Sequence, residues 1–469
     1  MVEAAAAVSA IQQIMTSNKE SFLSITDNTS TLKSKFSEIE ELTKQVADKT
    51  LEELAKEKVF VFPEILKDAD DLSKEQMILQ SVNDSYRSGN VMGFLGMGKQ
   101  RLEIRSRFSA ANGDSDGTHV ESESYDYFLL YMLQRVLNIP NIVDLKTDAD
   151  RENRLFNWLL FLFPFYLKNA VRKGIFKTYI RRQYNDANVK GAIDVARHIK
   201  KNIPFLGRIA YNQREHSSDN YLLKLIRLTI DYIKSKPFGS NLLSQVRDEI
   251  QLIAGATPGY AYKDKRKIID ENKKHAVRHA YYHEYRSLQQ LCLWILQDEK
   301  QLIGHGSRQI YGILFDGAWL WEEYVNSLIG EFFYHPRNKA KEGHQWLFAG
   351  SIGKIFPDFI GKNKNVIADA KYKQIDKNYG SDYQQILAYM YRFEATLGLF
   401  VYPQTNDDEP KELRLNRGYK FKDVDNVTPR DDVRVIKCGV TIPQNAVDYI
   451  EFRKQMETSE KKFHAKLYL

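Results

Sequence analysis

The sequence is poor in cysteine and has no apolar run long enough to cross a membrane. Cys292 and Cys438 are the only two cysteines among 469 residues, and neither belongs to a Cys-x-x-Cys pair. Isolated cysteines argue against a disulfide framework and a cysteine-based zinc site, and they fit a reducing compartment. The most apolar window, residues 155–167, is interrupted by Asn157 and Pro164 and is too short to span a bilayer. With no secretory signal apparent either, we expect a cytoplasmic protein with no membrane association.

Neither sign of charge dominates the chain. It contains 68 lysines and arginines against 61 aspartates and glutamates, which gives a formal net charge of +7. Such a mild basic excess is compatible with a polyanionic partner without requiring one. Charged residues make up 28% and hydrophobic residues 43% of the sequence, which is typical of a globular protein rather than a disordered one. The length favours about three domains.

The pattern along the chain predicts an α/β protein of three parts, with an α+β organisation overall. Residues 1–120 are predicted as a small mixed domain, residues 121–302 as a basic helical domain, and residues 303–469 as an α/β core with a mixed sheet. In the first part, residues 1–56 are predicted as an amphipathic helical extension. Its apolar stripe consists of Ile11, Ile14, Leu32, Phe36, Ile39, Leu42 and Val46.

A glycine-rich segment imitates a nucleotide-binding loop. Gly93 to Lys99 has the spacing of a P-loop, but Gln100 stands where a hydroxyl residue would bind the Mg²⁺ of the nucleotide. The residues that follow alternate like a strand, so no helix N-terminus is directed at a phosphate. We therefore predict a β-turn here and expect this chain to bind no nucleotide.

Two basic stretches of the middle domain have alternative interpretations. Between Lys168 and Lys190, arginines and lysines alternate with Phe176, Tyr179 and Tyr184. They could bind a phosphate backbone and stack on bases, or they could form a solvated helix face, and the sequence favours neither. Further on, three histidines recur at i+4 spacing: His275, His279 and His283. On a helix they would span two turns, which is too long a distance for one metal ion. We therefore predict a partly exposed helical stripe rather than a metal site.

The strongest functional signal is residues 355–373, which read I-F-P-D-F-I-G-K-N-K-N-V-I-A-D-A-K-Y-K. Two apolar runs flank a polar segment, the composition of a β-hairpin. If Asn363-Lys364 is a two-residue loop, the ladder places Asp358 directly opposite Asp369. Opposed side chains lie on one face roughly 5 Å apart at Cβ, and Lys371 follows on that face two residues later.

Two carboxylates this close cannot both stay ionised without a cation between them. Mg²⁺, which takes one or two carboxylates plus phosphate oxygens, fits such a pair, and Mn²⁺ is an alternative. The other interpretation is a surface hairpin with an ordinary Asp–Lys pair. The mirrored Pro357-Asp358 and the apolar residues around all three charges favour catalysis.

At these residues the sequence resembles a known nuclease superfamily. Pro357-Asp358 followed by Asp369-Ala370-Lys371 is similar to the P-D…(D/E)-x-K signature of restriction-endonuclease-like nucleases. Residues 314–325 (L-F-D-G-A-W-L-W-E-E-Y-V) resemble the start of the nuclease domain in McrC-type restriction subunits, including the LlaJI group. Residues 383–389 (Y-Q-Q-I-L-A-Y) resemble the Q-x-x-x-Y helix of the same proteins. The resemblance is strong over residues 300–405, moderate over 120–300 and weak before that.

The resemblance implies a role for each residue of the hairpin site. Asp358 and Asp369 would be the main metal ligands, and the Ala370 carbonyl would be the third. Lys371 would orient or activate the attacking water. Alanine at position 370 replaces the more common glutamate or glutamine, which the x of the signature permits.

Outside the hairpin, the candidate residues lie on two predicted helices. Glu322 is predicted to face the sheet and to act as an outer metal ligand, with Glu323 as the alternative and a solvated Glu–Glu pair as the competing interpretation. The resemblance implies that Gln385 and Tyr389, together with Lys373, contact the DNA backbone. The pattern alone would place Tyr389 in the core and Gln385 at the surface.

The resemblance implies a Mg²⁺-dependent DNA endonuclease subunit of an McrBC- or LlaJI-like restriction system. Its partners would be double-stranded DNA and an McrB-like AAA+ GTPase that carries recognition and translocation, and the cut ends would carry 5′-phosphates. Two alternatives remain: a stand-alone nuclease that reads DNA with its own N-terminal domains, and a scaffold protein with a degenerate nuclease fold. Intact Asp358, Asp369 and Lys371 argue against the scaffold.

Overall fold

The computed structural model describes residues 21–55, 58–62, 77–109, 126–138, 151–296, 310–336, 343–362, 365–374, 380–417 and 427–467. These residues group into two units, one made of residues 1–143 and 304–469 and the other of residues 144–303. The three predicted domain boundaries stay predictions. The first unit combines segments from both ends of the chain because a strand at residues 311–316 lies in the N-terminal sheet.

Strands occur in both units. In chain order they are β1 (Ser21–Thr26), β2 (Ser30–Leu32), β3 (Lys58–Phe62), β4 (Leu79–Val82), β5 (Ser85–Ser88), β6 (Val91–Met97), β7 (Gln100–Arg105), β8 (Thr178–Asp186), β9 (Ala192–Ile193), β10 (Ile209–Ser217), β11 (Tyr311–Asp316), β12 (Phe333–Tyr334), β13 (Gln345–Phe348), β14 (Ile352–Ile355), β15 (Phe359–Gly361), β16 (Val366–Ala370), β17 (Leu397–Gln404), β18 (Lys411–Arg417) and β19 (Thr428–Thr441).

The α-helices, in chain order, are α1 (Glu40–Val46), α2 (Leu51–Ala55), α3 (Tyr127–Leu137), α4 (Arg151–Arg172), α5 (Val195–Lys201), α6 (Tyr221–Lys234), α7 (Gly239–Leu242), α8 (Arg247–Ala256), α9 (Lys265–Lys274), α10 (His283–Leu296), α11 (Gly317–Ile329), α12 (Gly380–Arg392) and α13 (Tyr449–Lys466). Short 3-10 helices cover Lys33–Ile39, Leu243–Val246, Tyr262–Asp264 and Ala280–Tyr282. Within the described residues, none of these helices has the length and apolarity that a bilayer crossing requires.

The N-terminal sheet has the strand order β1-β7-β6-β11-β3. The predicted helical extension is wrong for residues 21–32, which form β1 and β2, and Ile11 and Ile14 lie outside the described residues. The rest of the stripe is helical and packs on its own unit, since Phe36, Ile39 and Leu42 are buried in the core under this sheet. Residues 21–26 form a strand rather than a helix because β1 pairs in parallel with β7 along its whole length.

The P-loop-like segment is a β-hairpin, which confirms the predicted turn. β6 and β7 are antiparallel, and Met97 pairs with Gln100, so Gly98 and Lys99 form the connection. The glycines serve strand packing: a Cβ on Gly93 would lie 2.1 Å from the carbonyl oxygen of Ile313 in β11. That close approach explains the first glycine without a phosphate ligand.

Replacing Gly93 with alanine is expected to lower the free energy of unfolding by about 1–3 kcal/mol, because the new methyl group meets backbone and the residue has a φ of +139°. Urea unfolding checks this value. Gly255→Ala is the matched control, since its Cβ would enter open space within helix α8, and it is expected to stabilise the protein slightly. Equal stability of Gly93→Ala and wild type would contradict the packing role.

The unit of residues 144–303 is mainly helical, as predicted, but it also contains the antiparallel sheet β8-β10-β9. The interpretation of residues 178–186 as a helix face is therefore wrong, because this segment is strand β8 and pairs with β10 over nine residues. Part of its charge is neutralised locally: Arg182 forms ion pairs with Glu215 and Asp219.

The three histidines do not share a helix, so the predicted stripe is also wrong. α9 ends at Lys274, His275 caps it, and α10 begins at His283. The physical reason is the buried side chain of Gln289, which accepts a hydrogen bond from Val277 N and donates one to the His275 carbonyl. These bonds hold the intervening backbone in an extended form that replaces the helical ladder.

The C-terminal sheet has the order β12-β15-β16-β17-β19-β18, with β16, β17 and β19 parallel to one another. This mixed sheet agrees with the predicted α/β core. Residues 411–417 form the edge strand β18 of this sheet, although the sequence there is mostly charged. Helix α12 packs Ile386, Tyr389 and Met390 against this sheet.

Candidate active site

Two aspartates face each other where β15 and β16 meet. The two strands are antiparallel with Phe359 paired to Ala368, so the next step of the ladder sets Asp358 opposite Asp369. This is the predicted register, although the loop residues 363–364 lie outside the described residues. Asp358 Oδ2 accepts a hydrogen bond of 2.9 Å from the backbone N–H of Ala370. That bond fixes the first carboxylate beside the strand that carries the second.

Lys371 completes the predicted trio. Its Nζ lies 2.7 Å from Asp369 Oδ2 and donates a hydrogen bond of 3.0 Å to Gln385 Oε1. The backbone N–H of Lys371 still donates to Val401 of β17, so the sheet ladder holds this residue in place. The side chain is consequently oriented by two groups from two different elements, the strand β16 and the helix α12.

Gln385 and Tyr389 lie one helical turn apart on α12 and form a relay of hydrogen bonds. Gln385 Nε2 donates to the Tyr389 hydroxyl, which donates to the carbonyl of Phe356. The Tyr389 ring is 3% exposed, so only its hydroxyl reaches towards the site. In this structure the pair therefore orients Lys371 and fixes the backbone just before Asp358, while its contact with DNA stays a prediction.

Lys373, the third residue with a predicted DNA contact, forms an ion pair with Asp382 in the first turn of α12. Asp382 also lies 3.8 Å from Lys371 Nζ. The sequence interpretation missed Asp382. Its signal was its position three residues before Gln385, on a helix already assigned to the site.

On the other side of Asp358, helix α11 contributes two glutamates. Asp316 caps this helix by accepting a hydrogen bond from Trp319 N. His335, which follows β12, lies between Asp358 and these glutamates. Its Nδ1 lies 2.9 Å from the Asp358 carbonyl oxygen, and its Nε2 lies 3.5 Å from Glu323 and 3.9 Å from Glu322. Because a carbonyl only accepts, Nδ1 carries a proton.

His335 was also missed from the sequence, since it is a lone histidine with no motif around it. Its ring stacks on Phe359 at a centroid distance of 4.8 Å. Burial lowers the pKa of His335, but acceptors on Glu323 and Asp358 outweigh burial, so its pKa is raised. The neighbouring acceptors therefore stabilise the protonated form of this imidazole relative to that of a free histidine.

The carboxylates of the site repel one another. Burial, followed by the negative charges of Glu322 and Asp369, raises the pKa of Asp358 well above its usual range. Burial also raises the pKa of Asp369, although Lys371 opposes this shift. Burial lowers the pKa of Lys371, but the surrounding carboxylates, led by Asp369, together raise this pKa by more than burial lowers it, so the amine stays protonated.

This donor set fits a hard divalent cation. Lys371 Nζ lies 2.7 Å from Asp369, and the negative charges of Glu322 and Asp369 both act on Asp358, so carboxylates outnumber this ammonium group. Among the described residues no cluster of three or more His, Cys, Asp or Glu side chains could by itself hold a metal ion. Two carboxylates, the Ala370 carbonyl and water stay the predicted ligand set, and a set with few protein ligands is usual for Mg²⁺.

The structure brings most of the predicted site residues together and distinguishes the two glutamates by their neighbours. Both lie near His335, Glu323 at 3.5 Å and Glu322 at 3.9 Å, but it is the charge of Glu322 that raises the pKa of Asp358. This arrangement favours Glu322 as the helix carboxylate. Its role as an outer metal ligand stays a prediction.

The chain is similar to proteins of one restriction system. The family described as "McrBC 5-methylcytosine restriction system component" matches residues 86–403. A chain in the refined half-complex of the tetradecameric assembly of Thermococcus gammatolerans McrB AAA+ hexamers with bound McrC is 14% identical, with a TM-score of 0.44, and the match covers 93% of this chain and 100% of that one. A chain of the Thermococcus gammatolerans McrBC complex is also 14% identical, with a TM-score of 0.29 and coverage of 66% and 87%.

No curated protein matches the sequence. The family match spans more than half of the chain and includes Asp358, Asp369, Lys371, Gln385 and Tyr389. On this evidence, the chain belongs to the family of McrBC 5-methylcytosine restriction system components.

Proposed function

We propose that this chain is the nuclease subunit of its restriction system, an McrC-type protein with a PD-(D/E)xK site similar to the LlaJI group, which hydrolyses DNA phosphodiester bonds with Mg²⁺. The observation that carries the proposal is the meeting of Asp358, Asp369 and Lys371 at one end of a mixed sheet. Family membership and the order of the three motifs along the chain support it.

The proposed chemistry assigns a task to each side chain. Asp358, Asp369 and the Ala370 carbonyl would hold Mg²⁺, which polarises the phosphodiester and lowers the pKa of a bound water when it is present. Lys371, protonated and held by Gln385, would orient the attacking water and stabilise the charge that develops on the phosphate. Asp358 is held by Ala370 N, and Glu322 would add negative charge at the outer edge of the site.

In this proposal, DNA cleavage and nucleotide hydrolysis are carried out by different subunits. The P-loop-like segment is an ordinary hairpin, so nucleotide hydrolysis would belong to an McrB-like AAA+ GTPase partner, which would also carry recognition and translocation. Family membership as a component of a restriction system supports a partnered assembly. Double-stranded DNA would be the substrate.

A plasmid cleavage assay tests this function. The purified chain is incubated with methylated plasmid and Mg²⁺, with and without the AAA+ GTPase of the same system and GTP, and with EDTA as the control. We expect Mg²⁺-dependent cleavage that the GTPase and GTP increase strongly. Equal cleavage without the partner would favour a stand-alone nuclease. Absence of cleavage in every combination would contradict the nuclease proposal.

A further inference from the structure

A second β-hairpin leads directly into the candidate site. β13 and β14 form a two-stranded sheet of their own, and the tip consists of residues 349–351. β14 ends at Ile355, three residues before Asp358. The base is fixed to the site, because the Phe356 carbonyl accepts the hydrogen bond from Tyr389 and Ile355 packs against the core beneath α12.

One face of this hairpin exposes apolar side chains at the tip. Phe348 pairs with Ile352 and Trp346 pairs with Lys354, so these four side chains share one face. Phe348 is 61% exposed and Ile352 is 62% exposed. Both therefore extend an apolar surface into solvent at the tip, although nothing in the strand ladder requires apolar residues there.

The surroundings of the exposed face suit a polyanion. No acidic residue occurs between Gly343 and Pro357. Lys354 lies over the Trp346 ring at 5.5 Å, and Arg392 of α12 donates a hydrogen bond to the Trp346 carbonyl. Tyr391, the neighbour of Arg392, is 88% exposed. Basic groups interleaved with exposed aromatic rings are typical of surfaces that bind nucleic acid.

The dimensions also fit a DNA groove. Ile355 follows Ile352 by three residue steps along the strand, so the tip extends about 10 Å from the base of the hairpin. Both grooves of B-DNA are roughly 8 Å deep. Apolar side chains that enter a groove can wedge between base steps and bend the duplex.

We propose that the hairpin of β13 and β14 inserts into a groove of the DNA that lies across the candidate site, with Phe348 and Ile352 in contact with bases and Lys354 beside the backbone. This inference rests on the proposed function for the choice of DNA as the partner. It assigns the hairpin a task that the catalytic residues do not perform, namely holding the duplex in register with Asp358 and Asp369.

Binding of a fluorescein-labelled duplex by the full chain tests the inference, with Ca²⁺ in place of Mg²⁺ so that binding is measured without cleavage. Phe348→Ser combined with Ile352→Ser is expected to weaken binding about tenfold or more. The control is Val447→Ser, because Val447 is an apolar residue outside the hairpin that is even more exposed, at 88%, and this variant should bind like wild type. A duplex with 2-aminopurine should brighten on binding wild type but not the double variant.

Unchanged DNA affinity in the double variant would overturn the inference. So would a loss confined to GTPase binding or to self-association in sedimentation experiments, since the hairpin would then be a protein-binding surface. The two proposals fail separately. If wild type cleaves DNA but the double variant binds DNA with normal affinity, only the hairpin inference is wrong. If the double variant loses affinity but wild type never cleaves DNA, only the nuclease proposal is wrong.

Discussion

Replacing Lys371 with methionine is expected to lower the rate of DNA cleavage by about 10²–10⁴-fold, the range that a positioned proton-transfer or water-orienting group contributes. Methionine keeps the length of the side chain but removes the ammonium that contacts Asp369 and Gln385. The loss should appear in kcat, because Lys371 is 17% exposed and offers DNA little binding surface. Single-turnover cleavage of plasmid under saturating enzyme measures it.

Arginine should not rescue this variant. The space for the amine is set by Asp369 at 2.7 Å and Gln385 at 3.0 Å, and a planar guanidinium does not fit a position shaped for a compact ammonium. Lys462→Met is the matched control, since Lys462 is an exposed lysine that pairs with Asp407. Circular dichroism confirms folding of each variant. Cleavage by Lys371→Met at nearly the wild-type rate would remove this residue from the chemistry.

Replacing Asp358 with asparagine is expected to abolish cleavage and, at neutral pH without divalent ions, to raise the free energy of unfolding. A buried carboxylate whose pKa is raised by folding destabilises the protein when it is ionised, by about 1.4 kcal/mol for each pH unit of the shift, and asparagine removes this cost. Asp358 meets the condition for this gain, because burial, Glu322 and Asp369 all disfavour its charge. Asparagine keeps an oxygen that can accept the hydrogen bond from Ala370 N.

The pH dependence of this gain has a definite sign. The folded-state pKa of Asp358 is raised, so its contribution to stability is fully present below the unfolded pKa of about 3.9 and is lost as the pH rises through the folded value. The asparagine variant does not lose this stability, because its side chain does not ionise. The difference between variant and wild type should therefore be small in acid and grow towards neutral and alkaline pH.

Urea unfolding at several pH values, in EDTA and in Mg²⁺, measures this difference. Mg²⁺ should stabilise wild type and narrow the gap, because an ion bound by Asp358 and Asp369 compensates their charge. Asp431→Asn serves as the control: this aspartate is 83% exposed, and its stability change should stay within about 0.5 kcal/mol. A destabilised Asp358→Asn protein in EDTA would show that the carboxylate is not under electrostatic strain.

The sequence by itself determined the centre of the candidate site. The alternation of side chains in a strand has a period of two, so the loop position alone set Asp358 opposite Asp369 and put Lys371 on the same face. Short-range rules of this kind also predicted the β-turn in the glycine-rich segment that begins at Gly93. They succeed because both partners of each interaction lie within a few residues of each other or within one ladder.

Only the tertiary structure decided which distant groups surround that centre. His335 reaches the site from the end of β12, and Asp382, Gln385 and Tyr389 reach it from α12, and the alternation of side chains within the hairpin carries no information about either element. The same reason explains the errors over residues 21–26 and 178–186, where strand pairing with residues far along the chain overrode helical spacing. Secondary structure follows local periodicity only until a distant partner offers a complete set of backbone hydrogen bonds.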